Sequence, residues 1–201
     1  MPTVEEITSF IDDGPPPGQS PWVVAPESSA IAVVDSDGSW PDAFADIADR
    51  ISRALGPRAL DVLHIGSTSV PGLPAKPVID IDLIVADPAR ENDWLPALIR
   101  VGFILTVREP WWYEHRLVKC SAPDANVHVF GPDAPEPWKH RIFRDHLRRD
   151  ERDREVYAAM KLTASQNANE RGETVMEYNH RKQAVIRQIY GRAFRQAGLS
   201  E

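Results

Sequence analysis

The eight residues from Val78 to Val85 constrain this chain more than any other stretch. Ile79, Ile81, Leu83 and Val85 are apolar at alternate positions, and Asp80 and Asp82 stand between them. A strand turns successive side chains to opposite faces, so this segment reads as a strand with one greasy face and one face carrying two carboxylates. Two carboxylates on one strand face can share a hard divalent cation that grips phosphate oxygens. The same pattern also describes a solvated strand face, and Asp-x-Asp alone does not separate the two.

A second feature lies upstream. Ala59 to Ile65 reads as a strand and runs into the turn-rich Gly66-Ser67-Thr68-Ser69-Val70-Pro71-Gly72, with twelve residues between Ser67 and Asp80. A Gly-Ser turn after a strand lets backbone N–H groups and a hydroxyl approach a phosphate closely. No Gly-Lys-Ser/Thr follows, so this is not a Walker phosphate loop.

Around these two features the chain alternates. Trp40 to Leu55 has helical spacing, with Phe44, Ile47, Ala48, Ile51 and Leu55 on one stripe, and Gly56-Pro57 stops it. Pro88 to Val101 reads as a helix and Phe103 to Val107 as a strand. Leu117–Cys120 and Asn126–Phe130 read as two more strands joined by a turn at Pro123-Asp124. From Glu136 the chain is helical, over roughly 137–149, 151–168 and 173–195, with a break near Gly172. Ile31 to Val34 is expected to be a short edge strand. Residues 1–28 read as a Pro-rich arm with a short helix over Glu5–Ile11. Pro21 and Pro26 keep the arm extended, and Trp22, Val23 and Val24 are its expected anchor. The expected architecture is α+β, a mixed-sheet α/β arrangement with a helical C-terminal portion, in one domain spanning 29–201.

Charge narrows the function. The net charge is −7, yet residues 1–49 hold ten acids and no Lys or Arg, so the remaining chain is net +3. A mildly basic body suits an anionic ligand such as a nucleotide and is too weakly basic for a dedicated nucleic-acid-binding domain. No stretch approaches the ~18–20 apolar residues of a membrane span, and no secretory signal is visible, so the expected address is the cytoplasm. One cysteine, Cys120, excludes an internal disulfide framework and a Cys-rich zinc site. No Ser-His-Asp order or Cys-His pairing stands out for covalent catalysis.

Basic residues in the helical half offer further candidates. Arg141, Arg144 and Arg148 share one helix face, where they either hold phosphates or pair with nearby acids such as Asp145. Tyr157-x-x-x-Lys161 and Tyr178-x-x-x-Lys182 repeat one spacing on successive helices. Lys182 falls in a stripe with Val175, Tyr178, Val185 and Ile189, so it must snorkel or meet a partner. Both lysines are candidate contacts to a triphosphate, or else long side chains covering the core edge. The aromatic run Glu109 to Arg116 reads as a loop packed on the body, with base stacking as the alternative. His64 reads as a hydrogen-bonded packing residue, and Cys120 faces a strand-pair interior.

The segments His64-Ile65-Gly66-Ser67-Thr68-Ser69-Val70-Pro71-Gly72-Leu73, Ala75-Lys76-Pro77 and Ile79-Asp80-Ile81 closely resemble the signature block of the GrpB family, within the nucleotidyltransferase fold superfamily. The resemblance continues through Asn126-Val127-His128-Val129-Phe130, Phe143 to Arg148, Tyr157 to Lys161 and Tyr178 to Lys182, covering about residues 30–192. It implies a small mixed sheet flanked by helices, with a nucleoside triphosphate between the Gly-Ser turn and the carboxylate strand. It places Gly66, Ser67, Ser69, Lys76, Arg144, Lys161, Tyr178 and Lys182 among nucleotide-binding candidates. It also assigns Mg²⁺ or Mn²⁺ to Asp80 and Asp82. Where active superfamily members carry a third carboxylate, the matching residue here is His128, a metal ligand, a general base or a packed histidine. The implied activity is transfer of a nucleoside monophosphate from an NTP to an unidentified small-molecule or protein acceptor. The alternatives are a non-catalytic nucleotide-binding accessory module and an ATP-dependent ligase that adenylates a carboxylic acid.

Overall fold

A computed structural model describes residues 1–10, 14–25 and 30–200 of the chain. Five strands form one mixed sheet: β1 (Asp61–Ile65), β2 (Ile79–Ile84), β3 (Ile104–Glu109), β4 (His115–Ser121) and β5 (Asp124–Phe130), in the order β1-β2-β5-β4-β3. β2 and β5 run parallel and the other neighbours antiparallel. The helices are α1 (Val4–Thr8), α2 (Trp40–Leu55), α3 (Glu91–Arg100), α4 (Glu136–Arg149), α5 (Glu151–Arg171) and α6 (Val175–Gln196). The mixed sheet with a helical C-terminal portion is the α+β arrangement expected from the sequence.

The register explains which face is which. Ile79, Ile81 and Leu83 pair with Ala125, Val127 and Val129, and all six are buried. They meet Ile47, Ile51 and Leu55 of α2 and Trp94 and Leu98 of α3 in the main core. Each of the larger aliphatic side chains contributes about 1.5–3 kcal/mol through its burial. The intervening residues, Asp80 beside Asn126 and Asp82 beside His128, therefore share the opposite face. Helices α4 to α6 close on that side. Val70 and Leu73, just after the Gly-Ser turn, pack with Leu147, Tyr157 and Ile189 of the three helices. The helices are also tied together by Asp153, which accepts from His146 Nε2 at 2.7 Å and from Arg192 Nε at 2.8 Å.

Gly172 ends α5 in the left-handed conformation, at the break expected from the sequence. Ile31–Val34 is not a strand. Val34 makes one bridge to Ala75, while Ile31 is buried among Ala164, Ala168 and Tyr178, with its backbone held by Asn169 at 2.9 and 3.0 Å. A four-residue apolar run is too short to choose sheet over helix packing by itself. The arm is also anchored differently from the expectation. Trp22, Val23 and Val24 remain exposed and touch β3 through the backbone, by a Trp22–Val107 bridge. The buried contact is Ile7 of α1, packed with Tyr190 and Phe194. The expected helix end at Ile11 and the extended Pro26 lie outside the described residues.

Candidate functional site

The turn after β1 is built from glycine. Gly66 has φ 68° and ψ −171°, a conformation that side-chain-bearing residues rarely adopt. Ser67–Ser69 then form a short 3-10 turn. The Ser69 hydroxyl donates to the Gly66 carbonyl at 2.6 Å, and Thr68 bonds His64 Nε2 at 3.0 Å. Both hydroxyls thus brace the turn, and the Ser67 side chain stands beside the Tyr157 hydroxyl. His64 also stacks on Phe44, with ring centroids 4.6 Å apart, as a packing residue.

The arginine row divides its work. Arg144 donates to the His64 carbonyl at 2.9 Å and to Asp145 at 2.8 Å. Arg148 donates twice to the Ser69 carbonyl, at 3.0 and 2.7 Å. Arg141 lies over the Trp138 ring instead. Two of the three arginines therefore clamp the backbone of the turn from α4.

Each carboxylate on β2 is held by one side chain. Asn126 Nδ2 donates to Asp80 Oδ1 at 2.9 Å. Asp82 is fully buried, and His140 Nδ1 of α4 lies 2.9 Å from Oδ2 and 3.1 Å from Oδ1. Burial works against charge on His140, but the Asp82 charge and hydrogen bond prevail and raise its pKa. An isolated buried carboxylate is costly, so Asp82 needs this partner or a cation.

His128 is the third member of the face. Its Nδ1 lies 3.0 Å from His115 Nε2, and His115 Nδ1 lies 2.7 Å from Glu109 Oε2. The chain of three runs outward across β5, β4 and β3. Burial lowers His128 to about 4 and His115 to about 3, so both are neutral at pH 7. Trp112 packs edge-on against His115 and Phe130, with centroids 5.0 and 5.7 Å away. The aromatic run is thus a packed loop, as read from the sequence, and it walls this chain.

Three lysines gather at the rings of Tyr157 and Tyr178, within reach of the Asp80 charge. Lys182 Nζ sits 4.1 Å and Lys76 Nζ 5.9 Å from the Tyr178 ring centroid, and Lys161 Nζ 4.9 Å from that of Tyr157. Lys161 is buried and donates to the Pro74 carbonyl. Burial, aided by the neighbouring Lys182, lowers Lys161 to about 7; burial and Lys76 lower Lys182 to about 8. The Asp80 charge opposes the shift at all three lysines. A niche of mutually repelling ammonium groups beside a glycine turn favours an anion by its electrostatics.

Two carboxylates and one neutral imidazole suit a divalent cation of the Mg²⁺ or Mn²⁺ kind, the nitrogen favouring Mn²⁺. The ligand atoms of Asp80, Asp82 and His128 do not all come within 4.8 Å of one another. The closed group among the described residues lies elsewhere, where His146, Asp150 and Asp153 bring ligand atoms within 4.8 Å. Arg192 already supplies the positive charge there, on both Asp153 oxygens.

The sequence reading left Asn126, His140, Glu109 and His115 out of the site. Asn126 was open to the alternation that exposes His128, and His140 stands one turn before Arg144 on the same helix face. Glu109 and His115 flank the aromatic run, whose rings dominate any reading of that segment.

The described residues contain no helix long and apolar enough to cross a membrane. The profile of the family described as GrpB protein matches residues 30–192. UPF0157 protein BH1888 of Halalkalibacterium halodurans is 42% identical over 168 residues, covering 84% of this chain and 85% of its own. UPF0157 protein SCO7215 of Streptomyces coelicolor is 41% identical over 168 residues, covering 84% and 87%. A dephospho-CoA kinase of Mycolicibacterium paratuberculosis is 30% identical over 167 residues, which cover 69% of this chain and 40% of the kinase. The crystal structure of the conserved protein GrpB from Enterococcus faecalis superposes with a TM-score of 0.70 at 26% identity, over 83% of this chain and 99% of that one. The glycine turn, the carboxylate strand and the helical half that closes on them lie inside the matched span, and the chain belongs to the GrpB family.

Proposed function

We propose that this protein is a divalent-metal-dependent nucleotidyltransferase acting on a nucleoside triphosphate. One observation carries the reading: Asp80 lies against the Gly66-Ser67 turn, is near enough to act on the charges of Lys76, Lys161 and Lys182, and shares its strand face with Asp82 and His128. That set of charges matches a triphosphate whose tail needs cations and whose reacting end needs a metal.

In this reading the Gly66 and Ser67 backbone and the Ser67 hydroxyl receive the β- and γ-phosphates. Arg144 and Arg148 keep the turn closed from behind. Lys76, Lys161 and Lys182 neutralise the phosphate charge, with Tyr178 backing two of the ammonium groups. Asp80, Asp82 and His128 would hold Mg²⁺ or Mn²⁺, which when bound supplies charge neutralisation at the reacting phosphate. An acceptor hydroxyl, amine or carboxylate attacks the α-phosphorus in line, the bond to the bridging oxygen breaks, and pyrophosphate leaves beside the lysines.

The test is a pyrophosphate-release screen with the four NTPs, Mg²⁺ or Mn²⁺ and a library of metabolites. Release that depends on one acceptor, and that is lost when Asp80 and Asp82 are both changed to Asn, supports the reading. The partial match to dephospho-CoA kinases favours a second reading, an accessory module that binds nucleotide without turnover. Tight NTP binding with no release in the presence of any acceptor would select it.

A further inference from the structure

His128 makes one hydrogen bond to the rest of the described protein, and the direction of that bond decides what its other nitrogen can do. With the Glu109 carboxylate as acceptor, the 2.7 Å contact places the hydrogen on His115 Nδ1. Buried between Trp112 and Phe130, the His115 ring is favoured without charge; it then presents a lone pair at Nε2, and the 3.0 Å contact has His128 Nδ1 donating into it. The single hydrogen of neutral His128 is thereby fixed at Nδ1, and Nε2 is left bare.

The sheet order says where that bare nitrogen faces. β5 lies between β4, which carries His115, and β2, which carries Asp82 at the register position beside His128. The Nδ1 edge of the ring is engaged by His115 of β4, which leaves Nε2 as the unengaged nitrogen on the face that also carries Asp80 and Asp82. The surroundings keep the chain dry. His115 is buried between Trp112 and Phe130, whose centroids stand 5.0 and 4.8 Å from its own, and water has little access to reverse the bonds.

We propose that Glu109 and His115 are positioning residues that hold His128 as its Nδ1–H tautomer, so that its Nε2 lone pair serves as the nitrogen donor to a divalent cation at Asp80 and Asp82. The donor role rests on the reading of the site given above; the tautomer does not. A carboxylate at position 128 would attract a cation in any orientation. An imidazole does so only with the correct nitrogen bare, which accounts for two further polar side chains behind it.

The experiment uses the full chain. Nitrogen-15 spectra of the histidine rings in the metal-free protein at pH 7 should show His128 with a protonated Nδ1 and a bare Nε2. The same spectra should show His115→Phe, which refills the space between Trp112 and Phe130, losing that preference. Glu109→Gln, which still offers an oxygen to His115, should retain it. Calorimetric titration with Mn²⁺ should show affinity falling about 10- to 100-fold in His115→Phe. A wild-type spectrum with the hydrogen on His128 Nε2 overturns the proposal, and that spectrum decides even where the variant fails to fold. An unchanged Mn²⁺ affinity in folded His115→Phe overturns the positioning role alone. No Mn²⁺ binding by the wild-type protein, with the tautomer as stated, overturns the metal reading and the donor role with it.

Discussion

Gly66 and Asp80 approach so closely that a β-carbon on residue 66 would stand 2.5 Å from Asp80 Oδ2 and 2.8 Å from its Cβ. The turn and the carboxylate strand are thus fitted to each other through the absence of a side chain. Gly66→Ala must displace the carboxylate and also hold alanine at φ 68°, ψ −171°. The expected loss of stability is about 1–3 kcal/mol in a denaturant titration, with triphosphate binding lost. A variant as stable as the parent that binds NTP normally would show the close fit to be irrelevant.

The aspartate pair can be separated from the fold. Asn at positions 80 and 82 keeps an oxygen to accept from Asn126 and from His140. The double variant should therefore melt cooperatively while losing divalent-dependent NTP binding by calorimetry. Unchanged binding with Mg²⁺ would remove the central role of the pair.

The lysine niche predicts a pH dependence. Below about 7 both Lys161 and Lys182 are charged in the free protein, and they lose charge as pH rises through about 7 and about 8. Metal-free binding of inorganic tripolyphosphate should weaken between pH 6 and 9, and a flat profile would contradict the assignment. Stability should move the other way. The ordinary Lys161 value of 10.5 is depressed on folding, so between about 7 and 10.5 the unfolded chain binds more protons and stability rises with pH. Lys161→Met should remove that part of the slope.

The contact of the N-terminal arm with α6 gives a truncation test. Deleting residues 1–28 removes Ile7 from Tyr190 and Phe194 and Phe10 from the Tyr190 ring, 5.2 Å away. The expected product still folds cooperatively, with about 2–3 kcal/mol less stability. A molten product, with no cooperative melting at low protein concentration, would mean that the arm completes the core.

What could be read from the sequence follows from how local each signal is. β2 was legible because its two faces are written in a period of two within eight residues, and α2 because its buried residues recur every three to four. The neighbours of β2 were not, since antiparallel β1 and parallel β5 are chosen by the path of the chain between them. For the same reason Asp80 and Asp82 could be named in advance, but their partners Asn126 and His140 lie 46 and 58 residues away. Arg144 and Arg148 were legible as a basic face. That their guanidinium groups close on the His64 and Ser69 carbonyls was not, because a backbone acceptor leaves no trace in residue identity.

The bridge between Trp22 and Val107 has a consequence for how the molecule behaves among its own copies. β3 is a border of the sheet, and its outward N–H and C=O groups would be open to any passing strand. The arm occupies them: Arg108 donates its N–H to the Pro21 carbonyl at 2.8 Å, and the Thr106 carbonyl receives Val23 at 2.9 Å. A proline-rich segment is suited to this work, because it satisfies the border while offering few donors for a further strand to join. The arm acts as a selvedge that finishes the sheet, and a chain cut after it would be drawn into pairing β3 with β3 at high concentration.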